Sequence, residues 1–98
     1  MSAHAGALEA VDRILNRGGA PDDVLRAVAD VLHERLFAHV AVVTHERVRA
    51  EAGAPTGAAG LAAPIAAAGE LRATPREPSA ADGALLARVA LLLSPYAG

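Results

Sequence analysis

Histidine and carboxylate are the side chains in this sequence best suited to chemistry, and their tightest group is His33, His39 and His45 with Glu34 and Glu46 alongside. Imidazoles and carboxylates together are the ligands of zinc or iron. Zinc ligands, however, come in short pairs such as H-x3-H, and steps of six residues from a helix end into a strand do not make one. No metal is expected, and these histidines read as solvated or edge residues. Nucleophilic catalysis needs an activated thiol or hydroxyl. Cysteine is absent, and none of Ser2, Ser79, Ser94, Thr44, Thr56 and Thr74 stands in G-x-S-x-G. Ser79 suits a helix cap instead. Asp22 and Asp23 would do acid–base work only in a desolvated cleft; directly after Pro21 they suit the positive end of a helix. Gly18-Gly19 does not follow a strand, which removes the context a phosphate-cradling loop requires. Arg47, Arg49, Arg72 and Arg76 could share a sheet face with Glu51, Glu70 and Glu77, and mixed signs of that kind make a solvated surface. The expectation is a protein with no catalytic residue and no cofactor, not an enzyme.

Composition narrows the partners. Nine arginines, no lysine and eleven acids give a net charge of −2 with no basic stripe to follow a phosphate backbone, so nucleic acid is not expected. No apolar run approaches the roughly 20 residues that span a bilayer, and the N-terminus lacks a basic segment leading into an apolar core. A soluble, cytoplasmic protein is the expectation. Ninety-eight residues suit one domain, residues 1–98, with a single core. That core is short of bulk: 26 residues are alanine, against 12 Leu, 9 Val, 2 Ile and one Phe. Association with another subunit would add buried area.

The elements that must position these side chains follow from periodicity. From about Ala5 to Asn16, Leu8, Val11 and Leu15 mark one helical face, and Gly18-Gly19 stops the helix. Pro21 opens a second helix whose stripe is Val24, Leu25, Val28, Val31, Leu32 and Leu36, ending near Phe37. His39–Thr44 is extended. A turn at Thr44-His45-Glu46 leads to a strand with Arg47, Arg49 and Glu51 alternating with Val48, Ala50 and Ala52, and Gly53–Gly60 connects. Leu61, Ala63, Ile65 and Ala67 alternate in a third strand, Gly69 breaks the run, and Leu71 and Ala73 resume it as a fourth. Val40, Val42, Val48, Ile65 and Leu71 are the expected buried or half-buried strand positions. Ser79 and Asp82 form an S-x-x-D capping box ahead of Leu85, Leu86, Val89, Leu92 and Leu93. The order α-α-β-β-β-β-α implies an α+β fold, an antiparallel four-stranded sheet covered on one face by the N-terminal helices and a C-terminal helix.

LEAVDRIL, DDVLRAVADVLHERL and AHVAVVT, followed by LAAPIAAAGELRATP and the Asp82 helix, resemble the GAF domain: an opening pair of helices, a first strand, a Pro-hydrophobic strand, a glycine turn, a last strand and a closing helix. GAF domains usually carry extra helices and a strand that wall off a ligand pocket before the Pro-hydrophobic strand. Here that interval is GAPTGAAG. The resemblance therefore implies a minimal member without the pocket insertion, a sensory or regulatory module able to take a small ligand, or else a purely structural dimerisation or docking protein. No cysteine is available for covalent bilin or for the chemistry of GAF-fold methionine sulfoxide reductases. Small residues at helical spacing extend the reading. Ala7, Ala10 and Ile14 on the first helix and Ala84, Ala87 and Leu91 on the last lie beside the faces assigned to the sheet, and GAF domains commonly dimerise through these two helices. They are the expected homodimer interface.

Overall fold

Leucine and valine at helical spacing, valine at alternate positions and glycine or proline between them produce the elements seen in the computed structural model, which describes residues 2–65 and 69–97. Their order is α1 (Ala3–Arg17), α2 (Pro21–Arg35), β1 (Phe37–Thr44), β2 (Arg47–Gly53), β3 (Leu61–Ile65), β4 (Gly69–Pro75), α3 (Asp82–Leu93) and a closing 3₁₀ turn, Ser94–Tyr96. The fold is α+β. All strand pairs are antiparallel, in the order β2-β1-β4-β3. One face is covered: α2 lies over β1 and β2, α3 over β3 and β4, and α1 against both helices. The alternation expected at Ala67 and the turn after it fall outside the described residues.

Cross-strand pairing sorts the sheet into two faces. Val40 stands opposite Ala52 and Ala73, and Val42 opposite Ala50 and Leu71; all six are buried in the same cluster as Val11, Leu25, Val28, Leu32, Leu86, Val89 and Leu93. The other face carries His39, Ala41, Val43, Val48, Glu51, Ala62, Pro64, Glu70, Arg72 and Thr74, and among the described residues no helix lies over it. Pro64 sits on an edge strand, where its missing N–H costs no ladder bond and discourages a further strand.

Two bulges decide which side chains are inside. Phe37 pairs with Pro75 and His39 with Thr74, so Ala38 is an extra residue in β1. It turns Phe37 away from the face of His39 and into the core, where Phe37 is fully buried. α2 ends at Arg35, capped at Leu36, and Phe37 already belongs to β1. In β2, Val42 pairs with Ala50 but Val43 with Val48, leaving Arg49 as the extra residue. Val48 is thereby moved off the face of Ala50 and Ala52 and stands 57% exposed, against the expectation that it would be at least half-buried. The β1–β2 turn, His45-Glu46, holds both residues at positive φ, the backbone of a tight hairpin whose twist matches its strands.

Gly53 ends β2 at φ +78° beside the start of β1. A β-carbon there would collide with the Ala38 carbonyl and come within 2.8 Å of the His33 ring. Gly53→Ala is expected to cost about 2 kcal/mol or more, lowering the midpoint of thermal unfolding by roughly 10 °C in a domain of this size. Gly83, exposed near the start of α3 with nothing within 4 Å of an added β-carbon, provides the control. Gly83→Ala should stabilise by about 0.5–1 kcal/mol, and thermal unfolding followed by circular dichroism measures both.

Candidate functional site

Three chain segments meet where α1 begins, α2 ends and the β4–α3 connection arrives. Ser2 caps α1 by accepting the Ala5 N–H, which fixes the first turn and places His4 toward α3. His4 Nε2 donates to Asp82 Oδ1 at 2.7 Å. The other carboxylate oxygen of Asp82 accepts the Ser79 N–H at 2.8 Å, the backward-reaching half of the capping box read in the sequence. The forward half differs: Ser79 Oγ accepts from Ala81, two residues on, and α3 starts at Asp82. Asp82 is 3% exposed, so both its oxygens are satisfied inside the protein, as a buried carboxylate requires. Arg76 reaches α2 and donates to the carbonyls of His33 and Glu34 (Nη1 to Glu34 O, 3.2 Å), capping that helix's negative end. Together these groups line a cleft of about 390 Å³ with Ala3, Arg35, Leu36 and Glu77.

The other histidines take separate positions. His33 Nδ1 bonds the Phe37 carbonyl at 2.9 Å, His39 Nε2 bonds Glu51 at 2.6 Å on the open sheet face, and His45 is in the β1–β2 turn. They do not converge, and among the described residues no three metal-ligating side chains do. The arginines disperse as well. Arg49 binds Asp22 at the start of α2 and the Thr44 hydroxyl, Arg72 pairs with Glu70, and Arg76 serves α2. Only Arg72, Glu51 and Glu70 of the expected mixed-charge set share the open face.

The interface residues divide between inside and outside. Ala84, Ala87 and Leu91 of α3 are exposed, Leu91 by 63%. On α1 the expectation needs correction: Ala7 and Ala10 are buried in the chain's own core, and Ile14 packs against it half-buried. The inward stripe is 7, 10, 11, 14, with Leu8 and Leu15 on its flanks. The cause is what α1 packs on. It lies against two helices rather than a sheet, and small side chains at that contact let helix backbones approach.

At the end of the sheet near the Gly53–Gly60 connection is a second cleft, of about 270 Å³, lined by His39, Gly60, Leu61, Ala62, Arg72, Ala73 and Thr74. Gly60, Leu61, Ala62 and Arg72 are themselves exposed, so this is an open trough and not an enclosed apolar pocket. The seven residues 54–60 join opposite edges of the sheet, a span of about 14 Å, and form no helix or strand that could roof it.

Sequence reasoning singled out Asp82 as a cap and passed over His4. The partner of His4 is 78 positions away, and only the packing of α1 against α3 brings the two together. Comparison with protein-family models, curated proteins and solved structures finds no match to this chain.

Removing the carboxylate tests the junction. Asp82→Ala leaves the Ser79 N–H and His4 without their acceptor and is expected to destabilise by about 1–3 kcal/mol. In a double-mutant cycle with His4→Ala, urea titration should return a coupling of about 0.5 kcal/mol or more. Additivity within error would mean the contact contributes nothing.

Proposed function

We propose that this chain is a non-catalytic regulatory module of minimal GAF-like layout that acts by docking, in the first place with a second copy of itself, through the outer face of α3. The observation behind this reading is the composition of that face. α1 and α2 turn Glu9, Asp12, Arg13, Asp23, Arg26, Asp30 and Glu34 to solvent, as surface helices do. α3 exposes Gly83, Ala84, Ala87 and Leu91, with Ala80 and Ala81 exposed just before it, and its one exposed charge is Arg88. A helix apolar around most of its circumference is ordinarily covered on both sides. The chain itself covers only the side of Leu85, Leu86, Val89, Ala90 and Leu93.

The burial of Ala7 and Ala10 moves the proposed seam from the first and last helices together to α3, with the half-buried Ile14 at most at its border. The non-catalytic part rests on the polar groups: the buried oxygens of Asp82 are occupied within the fold, and among the described residues no buried side-chain polar atom lacks a partner. Docking is the better supported use of the fold over a ligand enclosed between the sheet and the Gly53–Gly60 connection, because the trough beside His39 and Thr74 is open. No helix among the described residues is long and apolar enough to cross a membrane; a cytoplasmic setting belongs to the proposal.

Sedimentation at micromolar concentration is expected to show a dimer. Leu91→Glu would place a charge in the seam and should weaken association by at least about 100-fold, equivalent to roughly 2.7 kcal/mol, with the circular dichroism spectrum unchanged. A monomeric parent protein, or a dimer indifferent to Leu91→Glu, would sink this reading.

A further inference from the structure

We infer that the cleft between the start of α1, the end of α2 and the β4–α3 connection binds a phosphate-class oxyanion. The argument is a count of donors and acceptors left over after the fold has used its own. Of the side chains lining this space of about 390 Å³, Asp82 has spent both oxygens, on His4 and on the Ser79 N–H. It stabilises the walls and offers little to a ligand. Arg76 commits one N–H from each of Nη1 and Nη2 to the α2 carbonyls and keeps its Nε–H and the second hydrogen of each amino group. Ser79 Oγ accepts from Ala81 and keeps its O–H to donate. Arg35 is the decisive group. The ion pairs among the described residues are His4–Asp82, His39–Glu51, Arg49–Asp22 and Arg72–Glu70, and none includes it.

Its guanidinium lies alongside α1, with Nη1 3.6 Å from where a β-carbon of Gly6 would stand, so any side chain at position 6 would meet it there. The cleft therefore presents a full guanidinium fork, the remaining N–H groups of a second guanidinium and a hydroxyl, all on exposed residues at its open side, against one uncommitted carboxylate, that of the exposed Glu77. An excess of donors that includes arginine matches a ligand made of acceptor oxygens, and the planar fork matches phosphate geometry. The volume exceeds what a single ion needs, about a dozen waters' worth of space, and so admits a phosphate group carrying a small organic substituent. Glu77 and the Asp82 carboxylate both oppose the anion and set a limit on affinity.

The test is titration of the full chain with inorganic phosphate, and separately with glycerol phosphate, followed by ¹H–¹⁵N chemical shifts at ionic strength held constant with chloride. Saturable shifts are expected at Ala3, His4, Arg35, Arg76, Ser79 and Asp82. Arg35→Gln should weaken binding at least about tenfold. Glu77→Gln should strengthen it, and Arg26→Gln, an exposed arginine elsewhere on α2, should leave it unchanged. Tighter binding of glycerol phosphate identifies a phosphate monoester as the ligand, and equal binding the free ion. Shifts that chloride reproduces, or binding that Arg35→Gln leaves intact, would overturn the inference. The shifts report a site within one chain, so the result is independent of whether the protein dimerises.

Discussion

Close approach of one backbone to another is the constraint on which this structure depends, and alanine is what permits it. With 26 alanines and only one Phe among 98 residues, the chain cannot fill wide gaps between layers with bulk. Its elements come together at small residues instead. Ala7 and Ala10 seat α1, Ala29 lies in α2, Ala50 and Ala52 lie on the covered face of β2, Ala63 and Ala73 on that of β3 and β4, and Ala90 in α3; all are buried. Larger side chains fill the centre: Phe37, Leu25, Leu32, Ile65, Leu71, Leu86 and Leu93 are fully enclosed. Gly53 belongs to the same economy of space, since the Ala38 carbonyl and the His33 ring occupy the room a β-carbon would take.

Polar interactions hold the corner where this packing meets solvent. The Asp82 carboxylate joins α1 to the connection before α3, and Arg76 joins that connection to the end of α2. A buried, fully hydrogen-bonded carboxylate adds less net stability than it adds geometric specificity, because its desolvation offsets much of the attraction. It ties the first turn of α1 to the connection before α3. The exposed pairs Arg72–Glu70 and His39–Glu51 lie on the open sheet face and contribute little to stability.

The two surfaces without helical cover differ in kind, and the difference bears on function. The open sheet face mixes Val43, Val48 and Pro64 with two ion pairs, the pattern of an antiparallel sheet that can remain in water. The outer side of α3 has no such compensation: Arg88 alone interrupts a row of alanine, glycine and leucine. The proposed docking therefore falls on α3, and the proposed oxyanion site on the junction cleft, where uncommitted donors collect.

Periodicity along the chain was sufficient for the element order, the antiparallel α+β layout and most of the core, because hydrophobic spacing at 3.6 and 2 residues is a local property of sequence. Val24, Val28, Leu32, Val40, Val42, Ile65, Leu71, Leu86 and Val89 all lie where their spacing put them. The departures arise between elements, not within them. Val48 is outside because Arg49 is an extra residue opposite β1, and Phe37 faces the core because Ala38 is another; a bulge is a relation between two strands and leaves no mark on the spacing of either. Ala7 and Ala10 face inward because α1 meets two helices, and which neighbour a helix meets is decided by the assembled layers. The S-x-x-D box announced the carboxylate of Asp82 at the start of α3, while its pairing with His4, from the opposite end of the chain, came from tertiary packing alone. Local order was legible because it is paid for within a few residues; contacts between distant segments depend on geometry that exists only once the chain has folded.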